Sequence, residues 1–476
     1  MHAQSYSIIE PEYRGNTGFG QGGAAGVMDF DSDGVPDVVV GAPYDDAGVP
    51  SIGDAGRCYL FSGRTGARLG VVSAPTPHAF GHFGQSLTSL GDINRDGFGD
   101  YAVGEYGFGN VYVLSGADHS IISTLTYPPS GGGAFGISIA SVEDPTRGSV
   151  ASILIGAPYW YGETGRVYVY SMETGQPELT LHSPNPRFGA VFGLVVAVTE
   201  DLDGDTHPDF LIYSGSELRP DGIRRSALVA FSGVTGAYLR TFFAPNLDIF
   251  QFPYRYSGVP DLDGDGLADV LVGDATRRAD GASSGSGVAF VYSGGTGQLL
   301  YTLVSPSPDG GFYFGDSVLG LPDMTGDGFG DLLVTARYDS LTGYAPGAGA
   351  SYIFSGRTGE LYRAIGSPEP RPNGASGEFG RLPTLIPDTS GDERPDLVLF
   401  SLDNCSACWQ PEQGYIFHSC AADFNYDGVL NSQDFYDFLV AFFGGPISYN
   451  PDFNRDGAVN TQDFFDYFTA FLGGCP

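Results

Sequence analysis

Residues 29–37 read Asp-Phe-Asp-Ser-Asp-Gly-Val-Pro-Asp, setting carboxylates at positions 1, 3, 5 and 9 of a short stretch: Asp29, Asp31, Asp33 and Asp37. The spacing returns with Asp92, Asn94, Asp96 and Asp100, with Asp201, Asp203, Asp205 and Asp209, and with Asp261, Asp263, Asp265 and Asp269. It returns twice more with a hydroxyl at position 3: Asp323, Thr325, Asp327 and Asp331, then Asp388, Ser390, Asp392 and Asp396. Three or four carboxylates this close repel one another unless a cation sits among them. Calcium takes six to eight hard oxygen ligands, and side-chain oxygens at positions 1, 3, 5 and 9 with the position-7 carbonyl would converge on one ion. Asx-turn chemistry explains one such loop. It does not explain six in register.

Something must hold those loops in register, and the chain supplies a repeat of about 60 residues. Each unit opens on Phe-Gly, as at Phe19-Gly20, Phe83-Gly84, Phe135-Gly136, Phe192-Gly193, Phe314-Gly315 and Phe379-Gly380, with Phe252-Pro253 in the fifth unit. An acidic loop follows within about ten residues, then an apolar run, a Gly-rich turn and a second apolar run. The second unit shows four short β segments, Ser86–Leu90, Tyr101–Gly104, Val111–Ser115 and Ile121–Thr126. Four short strands joined by tight turns make a propeller blade, and one blade cannot bury both of its faces alone. Seven units predict a mainly β chain folded as a seven-bladed β-propeller of four-stranded blades over residues 5–419. Blade seven lacks a fourth strand, because Cys420 follows its third at Tyr415–His418. The segment Tyr6–Glu10 lacks a blade, so pairing the two is expected to close the ring.

The third unit reads Asp144-Pro-Thr146-Arg147-Gly148-Ser-Val-Ala-Ser152, without acids at positions 5 and 9, and is expected to bind no metal. The other loops and two in the tail hold 27 of the 56 acidic residues, so much of the formal charge of −34 is read as ligand. All 22 basic residues are arginine. That excludes lysine Schiff-base and P-loop chemistry, and the acidity argues against a nucleic-acid partner. No apolar stretch is long enough to span a bilayer. Met1-His2-Ala3-Gln4 carries no apolar signal core and is compatible with the remnant of a cleavage region.

The units resemble the FG-GAP repeats of integrin α-subunit propellers: Phe-Gly, Asp-x-Asp-x-Asp-Gly-x-x-Asp and Gly-Ala-Pro (Gly41-Ala42-Pro43, Gly156-Ala157-Pro158) recur in order. The resemblance implies structural calcium loops on a lower face and partner-binding loops on the upper one. It implies no catalysis, and fold alone does not settle function.

Residues 420–476 change character. Asp423, Asn425, Asp427, Asn431 and Asp434 lead into the helix-period run Phe435–Phe443, and 29 residues later Asp452, Asn454, Asp456, Asn460 and Asp463 lead into Phe464–Leu472. Each is a calcium loop feeding a helix, with aspartate in place of the EF-hand glutamate at position 12. The pair resembles the duplicated F-hand of dockerins. That likeness implies a small helical attachment module for a cohesin-like or other surface protein, read through Ser432-Gln433 and Thr461-Gln462. Cys420 and Cys475 bracket both loops and are expected to form a disulfide, since so small a module needs a staple. The pair points to the variant found on planctomycete-type surface proteins. Calcium is thus expected at about six propeller loops and two tail loops.

Other motifs weigh less. Cys405-Ser-Ala-Cys408 reads as a local disulfide before a redox pair or half a zinc site, and Cys58 stands alone. His78 and His82 lie in Pro-Gly loop sequence rather than on a helix. Gly281-Ala-Ser283-Ser-Gly285 and Gly18-Phe-Gly20-Gln-Gly-Gly23 match catalytic and dinucleotide patterns in form only, without a strand-to-helix setting. Tyr159-Trp160-Tyr161, Phe250, Phe252, Tyr254 and Tyr256 are read either as upper-face aromatics for a protein or glycan ligand or as packing between blades. The leading expectation is a secreted or cell-surface, non-enzymatic recognition protein. A dockerin-tethered polysaccharide lyase or hydrolase and a structural surface-layer component are the alternatives.

Overall fold

The computed structural model describes residues 6–12, 17–27, 29–46, 51–127, 133–144, 149–159, 164–245, 252, 255–276, 286–307, 313–325, 327–339, 347–368, 378–391, 394–401, 412–418, 432–444 and 459–473. Among the described residues, twenty-eight strands form seven antiparallel four-stranded sheets. The strands of unit two are Phe83–Gly91, Asp100–Glu105, Asn110–Leu114 and Ile121–Thr126, each overlapping the segment read from the sequence. The first strand of every blade touches the first strands of both neighbours, in a cycle that closes from blade seven back to blade one. The architecture is a seven-bladed propeller with those strands around its axis.

The ring closes where the sequence placed the closure. Tyr6–Ile9 pairs antiparallel with the third strand of blade seven, Gln413–Phe417, in the register Tyr6↔Phe417 to Ile9↔Gly414. Ile9 is buried with Phe19, Val38, Phe400 and Ile416 in the cluster between blades seven and one.

Seven buried apolar clusters of this kind lie one in each inter-blade seam, and each contains the phenylalanine that opens its repeat: Phe19, Phe83, Phe135, Phe192, Phe252, Phe314 and Phe379. Phe19 packs edge-on against Tyr59 and Phe61 of its own blade and Phe400 of the preceding one, with ring centroids 5.7 to 5.9 Å apart. Burying such a ring stabilises by about 1.5–3 kcal/mol, so the repeat's first residue is also its seam. The following glycine has no substitute there. Gly20 has φ +77°, and a Cβ on it would lie 2.3 Å from the Phe400 ring.

Two helices, α1 (Ser432–Phe442) and α2 (Thr461–Gly473), form the described part of the tail. Phe438 and Tyr467 stack at 4.0 Å between ring centroids, with Ala441 buried beside them. The duplication shows in the hydrogen bonds: Gln433 donates to Asp437 and Gln462 to Asp466, both at 2.7 Å. Among the described residues no helix is long and apolar enough to cross a membrane.

Candidate metal centres

Each acidic loop joins the first strand of its blade to the second, and its position-9 aspartate is the first residue of that second strand. In register, Val27 faces Asp37, Thr199 faces Asp209, Val259 faces Asp269, Leu321 faces Asp331 and Ile386 faces Asp396. These aspartates and Asp100 are at most 1% exposed. One carboxylate oxygen accepts the N–H of loop position 2: from Phe30 at 2.6 Å, Ile93 at 3.0 Å, Leu202 at 2.7 Å, Leu262 at 2.8 Å, Met324 at 2.7 Å and Thr389 at 2.8 Å. In five blades the other oxygen accepts the N–H of the glycine in the turn after the third strand, Gly63, Gly116, Gly233, Gly294 or Gly356, at 2.8 to 3.2 Å. One buried side chain thus ties the acidic loop to the neighbouring turn.

That burial has an electrostatic cost. Loss of water pushes the carboxyls of Asp37, Asp209, Asp269 and Asp331 up to about 6, against the backbone N–H bonds that pull them down. Asp100 is raised for the same reason. A cation beside these groups is the charge that would reverse the shift.

The remaining positions shape the loop. The position-1 carboxylate accepts the N–H of position 6: from Gly34 at 2.7 Å, Gly97 at 2.9 Å, Thr206 at 2.7 Å, Gly266 at 2.8 Å and Gly328 at 2.8 Å. The position-5 carboxylate accepts the N–H of position 7 in the same five loops, at 2.9 or 3.0 Å. Wrapped so, Asp29, Asp31 and Asp33 bring carboxylate oxygens within 4.8 Å of one another, as do Asp201, Asp203 and Asp209, and Asp261, Asp263 and Asp265. In blade two Asn94 donates to Asp96 at 2.8 Å, and in blade six the Thr325 hydroxyl donates to Asp331 at 3.2 Å. Turn residues reach in from the side: Arg64 donates to Asp33 at 2.9 Å, while Ser115 and Ser355 donate to Asp96 and Asp327, both at 3.0 Å. Hard oxygens in convergent sets fit a calcium ion.

Blade seven departs from this plan. Asp388 accepts from Ser390 and Gly391 at 2.9 and 2.6 Å, and His418, in the place of the serine that precedes the turn glycine of the other blades, lies 3.5 Å from Asp396. Asp392 lies outside the described residues.

Blade three departs further. Its first and second strands run on to Asp144 and from Ser149, and Asp144 pairs with Ser149 where other blades have an open loop. Ser152 faces Val142 in the position-9 register, and the turn N–H that would reach a carboxylate, that of Met172, donates instead to the Ala151 carbonyl at 2.9 Å.

In the tail, Asp434 and Asp463 are buried in the first turns of α1 and α2, and Asp463 accepts the Asn460 N–H at 2.8 Å. Asp423, Asn425, Asp427, Asn431, Asp452, Asn454 and Asp456 lie outside the described residues. So do Cys405, Cys408, Cys420 and Cys475, together with Trp160, Tyr161, Phe250, Tyr254 and residues 281–285.

The lesser motifs resolve differently. Phe252 and Tyr256 are buried in the seam between blades four and five, and the Tyr256 hydroxyl donates to the Val195 carbonyl at 2.6 Å, so both are packing. Tyr159 is exposed. His82 stacks on Tyr106 with centroids 4.9 Å apart, and His78 sits 4.4 Å from the Phe108 ring; each imidazole packs on an aromatic ring. Cys58 is buried, and burial pushes its thiol up, away from reactivity. Phe19-Gly20 begins a turn rather than a helix. Sequence reasoning missed the turn glycines, because they contribute only a backbone N–H. Their signal was the glycine that follows the third strand in five of the seven units.

Comparison with known proteins agrees with this geometry. Residues 19–61 match the family model described as "FG-GAP repeat". The chain is 31% identical to integrin alpha-3 of Cricetulus griseus over 189 residues, which is 36% of this chain and 18% of the relative. It is 36% identical to integrin alpha-6 of Gallus gallus over 140 residues, or 28% of this chain and 13% of the relative. It is 29% identical to integrin alpha-PS2 of Drosophila melanogaster over 198 residues, or 40% of this chain and 11% of the relative. The chain thus spans less than a fifth of the length of these relatives. Its propeller is integrin-like and carries FG-GAP repeats.

Proposed function

We propose that this chain is a secreted or cell-surface recognition protein whose propeller is a calcium-stabilised platform for a protein or glycan partner, with no catalytic role. The observation that carries the reading is the position-9 aspartate, buried six times over with the position-2 N–H on its carboxylate, beside further acids of the same loop. Calcium would be held by positions 1, 3, 5 and 9 of the loops that begin at Asp29, Asp92, Asp201, Asp261, Asp323 and Asp388. When bound it neutralises the loop and locks the first two strands of each blade to the turn after the third. The similarity to integrin α chains supports adhesion as the kind of work done. The platform is tested on protein and glycan arrays with the full chain, with and without calcium. Calcium-dependent binding to a defined partner is the expected result, and turnover of an arrayed polysaccharide contradicts it.

The tail, residues 420–476, is proposed as a separate dockerin-like module that attaches the propeller to another surface protein, with its own two calcium loops and a Cys420–Cys475 disulfide. The duplicated Gln-to-Asp contacts and the buried Asp434 and Asp463 support that reading. A purified cohesin module that fails to bind the calcium-loaded chain would leave the tail a cap.

A further inference from the structure

The residue directly after each Phe-Gly pair comes to the axis at the end opposite the acidic loops. There Gln21, Gln85, Ile137 and Leu194, from blades one to four, line a cavity of about 600 Å³ together with Tyr213 and Arg255. Leu382 of blade seven completes a wall drawn from six of the seven blades, so the space is a well on the axis rather than a groove across the face. A chain that occupies a well enters end first.

The polar groups of the wall divide into committed and uncommitted ones. Ser86 donates to the Gly136 carbonyl at 2.7 Å and Ser138 to the Gly193 carbonyl at 3.2 Å, so both hydroxyls tie neighbouring blades together. Arg255 is engaged within the protein, and its charge bears on the buried Asp316. Among the described residues, the side chains of Gln21, Gln85 and Tyr213 make no hydrogen bond within the protein. What the well offers a ligand is therefore neutral: two carboxamides, each an acceptor and a double donor, and one phenol. Ile137 and Leu194 set an apolar arc beside them. An apolar hollow of this size with a few convergent polar groups is the usual form of a small-ligand site.

That lining selects between kinds of chain end. The terminus of a polypeptide carries a full charge, which is costly to bury where no uncommitted group of opposite sign meets it. The non-reducing end of a neutral glycan is uncharged and ringed with hydroxyls that both donate and accept. A carboxamide presents its oxygen and its NH₂ side by side, so it meets two adjacent hydroxyls of a pyranose ring at once. The C–H face of the same ring is apolar and gains by leaving water.

We propose that this axial well binds the non-reducing end of a neutral glycan, with ring hydroxyls on Gln21, Gln85 and Tyr213 and a C–H face against Ile137 and Leu194. The inference deepens the reading of the propeller as a recognition platform, by naming the class of partner, and rests on it.

The test is saturation-transfer NMR and calorimetric titration of the full calcium-loaded chain. The probes are cellotriose, laminaritriose, mannotriose, galactotriose and maltotriose, with N-acetyl-Gly-Ala-Gly amide as a neutral peptide. At least one trisaccharide is expected to bind, with saturation strongest on its non-reducing ring. Gln21→Leu with Gln85→Leu should weaken that sugar at least about tenfold, and Tyr213→Phe about two- to tenfold. Because none of the three side chains is hydrogen-bonded within the protein, the variants should melt where the parent does. Tyr213→Phe carries the test if the double variant does not fold. No binding by any of the five sugars at millimolar concentration overturns the proposal. So does an affinity unchanged in the variants, which would place the sugar elsewhere, as on a calcium loop. A peptide amide that binds as tightly as the sugar overturns the glycan as the ligand. If no sugar binds while the arrays still return a calcium-dependent protein partner, the well falls and the platform stands; if the arrays are blank as well, the platform falls with it.

Discussion

Blade three and its six companions solve the same problem with different chemistry. All must connect a first strand to a second and leave no buried amide unsatisfied in the turn after the third. Five blades give that turn amide a carboxylate, which then sits buried with its pKa raised. Blade three gives it the Ala151 carbonyl, shortens the connection, and puts Ser152 in the aspartate's place. The neutral solution shows that the propeller does not need acids to form a blade. On the proposed reading, what the acids add is a cation site, held at a cost that a bound cation would remove.

If that contrast is right, the largest effect comes from taking calcium away. Each loop at a free calcium a thousand times its Kd contributes about 4 kcal/mol. Chelation should lower the melting temperature by far more than any single substitution. A chain that melts at the same temperature in excess chelator has six loops that behave like blade three.

Ring closure should come next. Deleting residues 1–12 removes the outer strand Tyr6–Ile9 from blade seven and opens the seam around Ile9 and Phe19. Each large apolar side chain exposed there costs about 1.5–3 kcal/mol. One cooperative transition at a lower temperature is expected; an unchanged melting point would show that the seam holds without that strand.

Two aspartates of one loop sharpen the comparison. Asp209→Ala strands the buried N–H of Leu202, at about 1–3 kcal/mol, and the half-buried N–H of Gly233, at less, with or without calcium. Asp203→Asn should cost stability only when calcium is present, since Asp203 is exposed and asparagine keeps an Oδ1 to accept the Asp205 N–H that Asp203 accepts at 3.2 Å. Urea melts in calcium and in chelator separate the two roles. Equal losses for Asp203→Asn in both would assign it a structural role instead.

The smallest effect belongs to blade three. The Ser152 hydroxyl donates to Glu178 at 3.3 Å, so Ser152→Ala should cost about 1 kcal/mol or less and show no calcium dependence. A calcium-dependent loss there would place an ion in the one blade that lacks the acids for it.

How much of this was legible in the sequence follows from which contacts are local. Phe-Gly, the acidic loop and the apolar runs are read within one unit, so blade count, strand positions in unit two and the exception at Asp144–Ser152 could all be seen. The orphan segment at Tyr6 and the missing strand of blade seven fixed ring closure by elimination. Contacts made through backbone groups were not visible: nothing in residues 201–209 says that Asp209 reaches Gly233, because glycine offers only its amide. The axial ring was hidden for another reason. The residue after Phe-Gly changes from Gln21 and Gln85 to Ile137 and Leu194, and only the curvature of the closed sheet brings those four to one cavity. Phe252 and Tyr256 were open between ligand contact and packing, since an aromatic residue suits either until its seam is known.

The account is tested most directly by counting bound ions. Native mass spectrometry of the full chain, loaded with calcium and desalted, should show eight tightly held ions, six from the propeller and two from the tail, and seven for Asp209→Ala. Nine ions would put calcium in blade three, and a chain that keeps two or fewer would contradict the claim that the acidic loops are calcium sites.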